Sequence, residues 1–251
     1  MLDILLNLQF QLIHSNKNYK PNMNITLNHK KIIVVLSIFA LILIVIHTII
    51  LSIYFYIDDP DTFDFIRLFD LDYEGNIPTL FSAILFFLNG VLFYLIYSST
   101  KQANKPYSAY WMGLALIFIF MGFDEGTRLH EEIGDLIENF IEAKGLLYFP
   151  WVIPYSLAFL ITTIIYLRFY LTLDNNLKLR LFLCALIFLS GALGLEIISA
   201  QVAEETGTSS LSYSILYTIE ETLEIAGLIL LVDTLLGHIG RERKSILIKL
   251  K

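Results

Sequence analysis

The chain holds one cysteine, two tryptophans and six prolines, and only 16% of its residues carry charge. A lone Cys184 permits no intrachain disulfide and no thiolate metal cluster. Glycine-rich phosphate loops, dinucleotide fingerprints and an HExxH helix are all missing, and no internal repeat is evident, so the motif-bearing nucleotide and zincin enzymes find no support. The 17 basic residues are outnumbered by 24 acidic ones, a formal charge of −7, and nothing favours nucleic acid as a partner.

What the chain has in quantity is hydrocarbon. Hydrophobic residues make up 56% of it and its mean hydropathy is +0.67, far above a soluble domain of this length. Runs near the 20 or so residues that cross a bilayer lie at Ile32–Ile57, Thr79–Ser99, Ser108–Phe123, Trp151–Leu171, Leu179–Ala200 and Ser214–Ile239. These predict an all-α, polytopic bundle of six transmembrane helices. Residues 1–31 form an N-terminal segment with a candidate interfacial helix over Met1–Ile13, residues 32–239 the membrane domain, and residues 240–251 a basic tail. Met1–Ile13 has Asp3 in place of a basic n-region and is followed by no small-x-small site, so it does not read as a secretory signal.

The basic residues sort by side. Lys17, Lys20, Lys30, Lys31, Lys101, Lys105, Arg168, Lys178, Arg180, Arg241, Arg243, Lys244, Lys249 and Lys251 fall on one side of a six-span chain, and only Arg67, Arg128 and Lys144 on the other. The positive-inside rule therefore expects both termini in the cytoplasm of a plasma (inner) membrane, with 58–78, 132–150 and 201–213 outside. The first external loop, with Asp58, Asp59, Asp61, Asp64, Asp70, Asp72 and Glu74, lacks the spacing of a calcium loop and reads as a solvated acidic segment. The third helix is expected to run on through Asp124 to at least Glu131, with a break at Gly122 as the alternative.

Against this background the ionisable residues inside the spans stand out: His47, Asp124, Glu125, His130, Glu131, Glu196, Glu220, Glu221 and Glu224. An ionisable group in hydrocarbon is expensive and is usually retained for work in the protein interior. Counting from the flanks, Lys31 to His47, Lys105 to Glu125, Arg180 to Glu196 and His238 back to Glu221 span roughly 24–30 Å at about 1.5 Å per residue. These groups thus share one layer, in the outer half of the bilayer. Glu220 and Glu221 lie i,i+4 and i,i+3 from Glu224, so the triad shares a face, and so many acids need a cation or protons between them. Around Glu196, the small residues Ser190, Gly191, Ala192, Gly194, Ser199 and Ala200 let another helix approach closely. For His47 a ligand role and a plain interhelical hydrogen bond weigh equally. Trp111, Trp151 and the span-end tyrosines read as interfacial belt residues.

Several signatures occur together in order: Leu71-Asp72-Tyr73-Glu74-Gly75-Asn76-Ile77-Pro78-Thr79, Asp124-Glu125 with His130-Glu131, Trp151-Val152-Ile153-Pro154-Tyr155, Gly191-Ala192-Leu193-Gly194-Leu195-Glu196, and Glu220-Glu221-x-x-Glu224. Over about residues 65–237 the chain resembles a group of uncharacterised bacterial multi-pass membrane proteins. That resemblance implies a bacterial inner-membrane location and carries no activity.

Three functions follow from the residues. The first is a membrane-embedded metal centre, with the nine residues above as ligands, for a divalent ion (Fe, Mn or Zn ahead of Mg or Ca). It would serve an oxidoreductase or hydrolase acting on a lipid-soluble substrate. The second is a cation or proton transporter or channel whose path passes Asn89 and Asp233. The third is a non-catalytic membrane partner. Membrane lipids are the expected surroundings, and a homo-oligomer or a membrane-protein partner stays open.

Overall fold

A computed structural model describes residues 7–8, 23–26, 28–57, 67–242 and 247–248. The expected helix over Met1–Ile13 and the acidic residues Asp58 to Asp64 fall almost wholly outside them. Six helices are long and apolar enough to cross a membrane, and the protein is an all-α multi-pass membrane protein. Span one is His29–Ile57, span two Ile77–Gln102, span three Ser108–Thr127 and span four Val152–Thr172. Span five runs as Asn175–Leu189, a π-turn at Ser190–Leu195 and Glu196–Thr206; span six is Leu211–Glu242. Each is close to its predicted run, lengthened at the ends because the helical hydrogen-bond ladder continues past the hydrocarbon. Outside the helices, Met23–Thr26 pairs antiparallel with Asn7–Leu8 and with Leu247–Ile248, so the two ends of the chain meet.

Spans two and six form the centre. In their most apolar stretches 61% and 50% of residues are buried, against 17% for span one and 11% for span four. Lipid offers no hydrophobic drive for helices to meet, so close packing and interhelical hydrogen bonds must hold them. Toward the chain-terminal end Phe93, Trp111, Phe169, Val232 and Leu235 pack together; nearer the middle Leu43, Leu85, Phe86, Ile225 and Leu228 do so. Asn89, fully buried, donates to the carbonyls of Leu85 (2.9 Å) and Leu228 (3.1 Å) and ties span two to span six.

Local sequence explains where the helices begin and stop. Span two starts where the Asn76 side chain accepts from the Thr79 amide (3.1 Å), with Pro78 in the first turn where no amide is needed. Span three does not run unbroken to Glu131, nor does it break at Gly122. It stops after Thr127, Arg128 takes the left-handed conformation (φ 60°), and a short helix, Leu129–Glu138, sets off anew. Gly122 serves contact: a Cβ there would sit 2.9 Å from the Phe87 ring and 3.2 Å from the Ala83 carbonyl.

The predicted close approach beside Glu196 is present. A Cβ on Gly191 would lie 2.7 Å from the Glu220 carbonyl oxygen and 3.0 Å from Glu224 Cγ. Gly191→Leu should therefore force spans five and six apart, costing about 1–3 kcal/mol as overpacking does. Thermal unfolding in detergent should show the loss, and an unchanged melting temperature would mean that the two spans do not meet here.

Candidate functional site

The end of the bundle away from the chain termini is polar. The left-handed turn at Arg128 folds the chain back so that His130 returns to the side chain of Asp124, one helix earlier. His130 Nδ1 lies 3.4 Å from Asp124 Oδ2 and Nε2 lies 3.1 Å from Glu74 Oε1. Tyr155 Oη donates to the other Asp124 oxygen at 2.6 Å. Burial works against a charged imidazole, but the hydrogen bonds to Asp124 and Glu74 outweigh it and raise the His130 pKa to about 10. The ring is thus a cation held between two carboxylates, its edge against the Trp151 indole at 4.9 Å. Arg128 Nε donates to Glu131 (2.8 Å) and faces Glu74 Oε2 at 3.3 Å.

A second layer lies beyond Trp151. Its indole Nε1 donates to Glu196 Oε1 at 3.0 Å. The Ser199 hydroxyl donates to the Glu196 carbonyl (3.0 Å) and reaches Glu220 Oε2 at 3.4 Å. Ser199 thus stands between the Glu196 and Glu220 carboxyls and brings spans five and six together at this point. The π-turn makes this pairing possible: an extra residue in the turn re-aims everything after it, and Glu196 is the first residue past it. Glu125, Glu221 and Glu224 complete the cluster. Each is half-buried and within electrostatic reach of the others or of Glu196, and none has a hydrogen-bond partner among the described residues.

Of the residues singled out in the sequence, Asp124, Glu125, His130, Glu196, Glu220, Glu221 and Glu224 are brought together, and Glu131 stands at the rim with Arg128. His47 is elsewhere. Its Nδ1 accepts from the Leu71 amide (3.3 Å), and its Nε2 meets Thr218 Oγ1 (2.9 Å), whose own proton goes to the Ser214 carbonyl. Both ring nitrogens are occupied, with the proton on Nε2, and the imidazole pins the loop before span two to spans one and six. Among the described residues no three His, Cys, Asp or Glu side chains form a group that could hold one metal ion.

The loop before span two corrects the sequence reading in part. Glu74 is folded in against Arg128 and His130, whereas Asp72 stays exposed and is held at the surface by the Tyr213 hydroxyl, which donates to it at 2.9 Å. Trp151 and Tyr155, taken as belt residues, hold the carboxyls of Glu196 and Asp124. Their i,i+4 spacing was the available signal, since it puts both on one face at the start of a span.

The fold and the site define a helical multi-pass membrane protein with a buried acidic cluster fastened by one histidine. By the match of its residues 35–239, the chain belongs to a family described as a domain of unknown function, DUF8692. No curated protein and no solved structure matches it.

The His130 contacts set a pH dependence. A histidine whose pKa is raised from 6.5 to about 10 on folding stabilises fully below 6.5, and that contribution is lost as pH rises through 10. The melting temperature of the wild-type protein should exceed that of His130→Gln at pH 6, and the gap should shrink steadily toward pH 10. A gap constant with pH would show that the ring is neutral.

Proposed function

We propose that the cluster is a divalent-cation centre embedded in the membrane, acting on a lipid-soluble substrate. One observation carries this reading: Glu125, Glu221 and Glu224 lie half-buried at the same end of the bundle with no hydrogen-bond donor to any of their carboxyls among the described residues, although they do not stand as a ready-made ligand group. Like charges so placed in a low dielectric call for a cation or for protons. The donors left free are carboxylate oxygens, because both nitrogens of His130 and of His47 already have partners. An oxygen set favours Mn, Mg or Ca over Zn, and so favours Lewis-acid activation of water over redox chemistry. His130, Trp151, Tyr155 and Ser199 then act as positioning residues that orient the carboxyls.

The transport alternative has less support. Asp233 is tied to His29 (2.7 Å) and Arg180 (3.0 Å), and Phe93, Val232 and Leu235, near Asn89 and Asp233 in the chain, are buried in an apolar cluster.

Mn titration followed by electron paramagnetic resonance on detergent-purified protein tests the centre. Glu221→Gln and Glu224→Gln should each abolish uptake, their combination should add nothing further, and Glu132→Gln should bind as wild type. Protein that takes up none of Mn, Mg, Ca, Zn or Fe ends the metal reading.

The split of basic residues further supports a bacterial inner-membrane protein with cytoplasmic termini and the cluster near the outer face. On a Cys184→Ala background, Ser209→Cys should react with an impermeant maleimide in intact cells, and Asn176→Cys should not. The reverse pattern would invert the topology.

A further inference from the structure

The short helix Leu129–Glu138 suits neither water nor hydrocarbon alone. Four of its ten residues, Glu131, Glu132, Asp135 and Glu138, are acidic, too many for the apolar zone of a bilayer. Yet Leu129 and Leu136 stand 38% and 64% exposed, and Phe140, two residues past the end, 86%. The turn after the helix continues its winding, the Phe140 amide donating to the Ile137 carbonyl at 2.8 Å.

Three stripes divide this segment. His130 and Gly134 face the bundle: the imidazole meets Glu74, Asp124 and the Trp151 ring, and a Cβ on Gly134 would lie 3.4 Å from both the Cβ and the backbone nitrogen of Trp151. Leu129, Ile133, Leu136 and Phe140 follow one another at steps of four, three and four and make the second stripe. Glu132, Asp135 and Glu138, all exposed, make the third. At 3.6 residues per turn the three stripes lie roughly 120° apart. A helix between protein and water needs one apolar side; this one has a second, with the charged stripe beside it, as a helix lying in a membrane surface does.

Its position in the bundle agrees. Span three ends at Thr127, span four begins at Val152, and both the first turn of the helix, through His130, and the second, through Gly134, rest on Trp151 at the mouth of span four. Both turns therefore lie where the spans leave the hydrocarbon, beside the lipid heads. The acids select among those heads. Arg128 pairs with Glu131, and the exposed stripe adds three further carboxylates, so anionic heads are repelled and zwitterionic heads, which offer an ammonium group, are accepted.

We propose that Leu129–Glu138 is an interfacial helix, seated through Leu136 and Phe140 in a zwitterionic bilayer surface at the site end, and that this seating braces His130 against Asp124 and Glu74. Neither part depends on what the carboxylate cluster binds.

The test uses the full-length protein in vesicles, on a Cys184→Ala background, with a fluorophore attached to Leu136→Cys, Phe140→Cys or Asp135→Cys in turn. In phosphatidylcholine, a nitroxide near the lipid head should quench the first two labels several-fold more than aqueous iodide does, and the third should show the reverse. Iodide quenching of the first two as strong as that of the third would put the helix in water and overturn the seating. Shielding of the first two from both quenchers would mean that a protein, a second copy or another partner, covers the face, and would overturn it as well. At low ionic strength, exchanging half of the phosphatidylcholine for phosphatidylglycerol should weaken the nitroxide quenching, and no change would overturn the match to zwitterionic heads. For the brace, Leu136→Ser combined with Phe140→Ser should lower the melting temperature in vesicles less in a His130→Gln background than in the wild type. Equal losses would overturn the bracing of His130 and leave the seating in place.

Discussion

A carboxylate in hydrocarbon has to be neutralised, and the far end of this bundle is organised around meeting that requirement several times over. His130 does so for Glu74 and Asp124 together, an imidazolium between two acids. To put it there the chain must leave span three, turn through a left-handed Arg128 and come back, and the loop before span two must reach inward to present Glu74. Burying such an ion group is costly unless its geometry is nearly complete, which is why Tyr155 takes the second oxygen of Asp124. Glu196 and Glu220 meet it with neutral donors, the Trp151 indole on one and the Ser199 hydroxyl between the two. What is left over, on Glu125, Glu221 and Glu224, is unmet demand, and the functional reading follows from it.

Much of this was legible in the residues. Six apolar runs give six helices because length and hydropathy decide the matter in lipid, where an unsatisfied backbone is untenable. The gathering of Glu196 with the Glu220–Glu224 triad followed from equal depth and from Gly191, whose missing side chain is what lets span five sit against the Glu220 carbonyl.

Other features carried no such signal. A non-glycine residue at positive φ has no compositional mark, so the break at Arg128 was invisible while Gly122, which looks like a breaker, packs inside an unbroken helix. Hydropathy reads a loop of acids as solvated and cannot register that Glu74 returns to the protein or that Asp72 is held at its surface, because that depends on partners far along the chain: His130 for one, Tyr213 for the other. His47 shows the converse, an ionisable group in a span whose depth matches the cluster but whose partners, the Leu71 amide and Thr218, give it a fastening role.

The π-turn at Ser190–Leu195 has a meaning for how this span can vary. Removing one residue there would restore ordinary helical pitch and better hydrogen bonds, so stability alone favours the shorter helix. It would also swing every later side chain by about 100°, taking Glu196 off Trp151 and Glu220 and turning Ser199 and Ala200 out of the interface. Length is therefore the constrained quantity in span five. Exchanges among its lipid-facing leucines and isoleucines leave the chemistry in place, whereas a single deletion repairs the helix and dismantles the cluster.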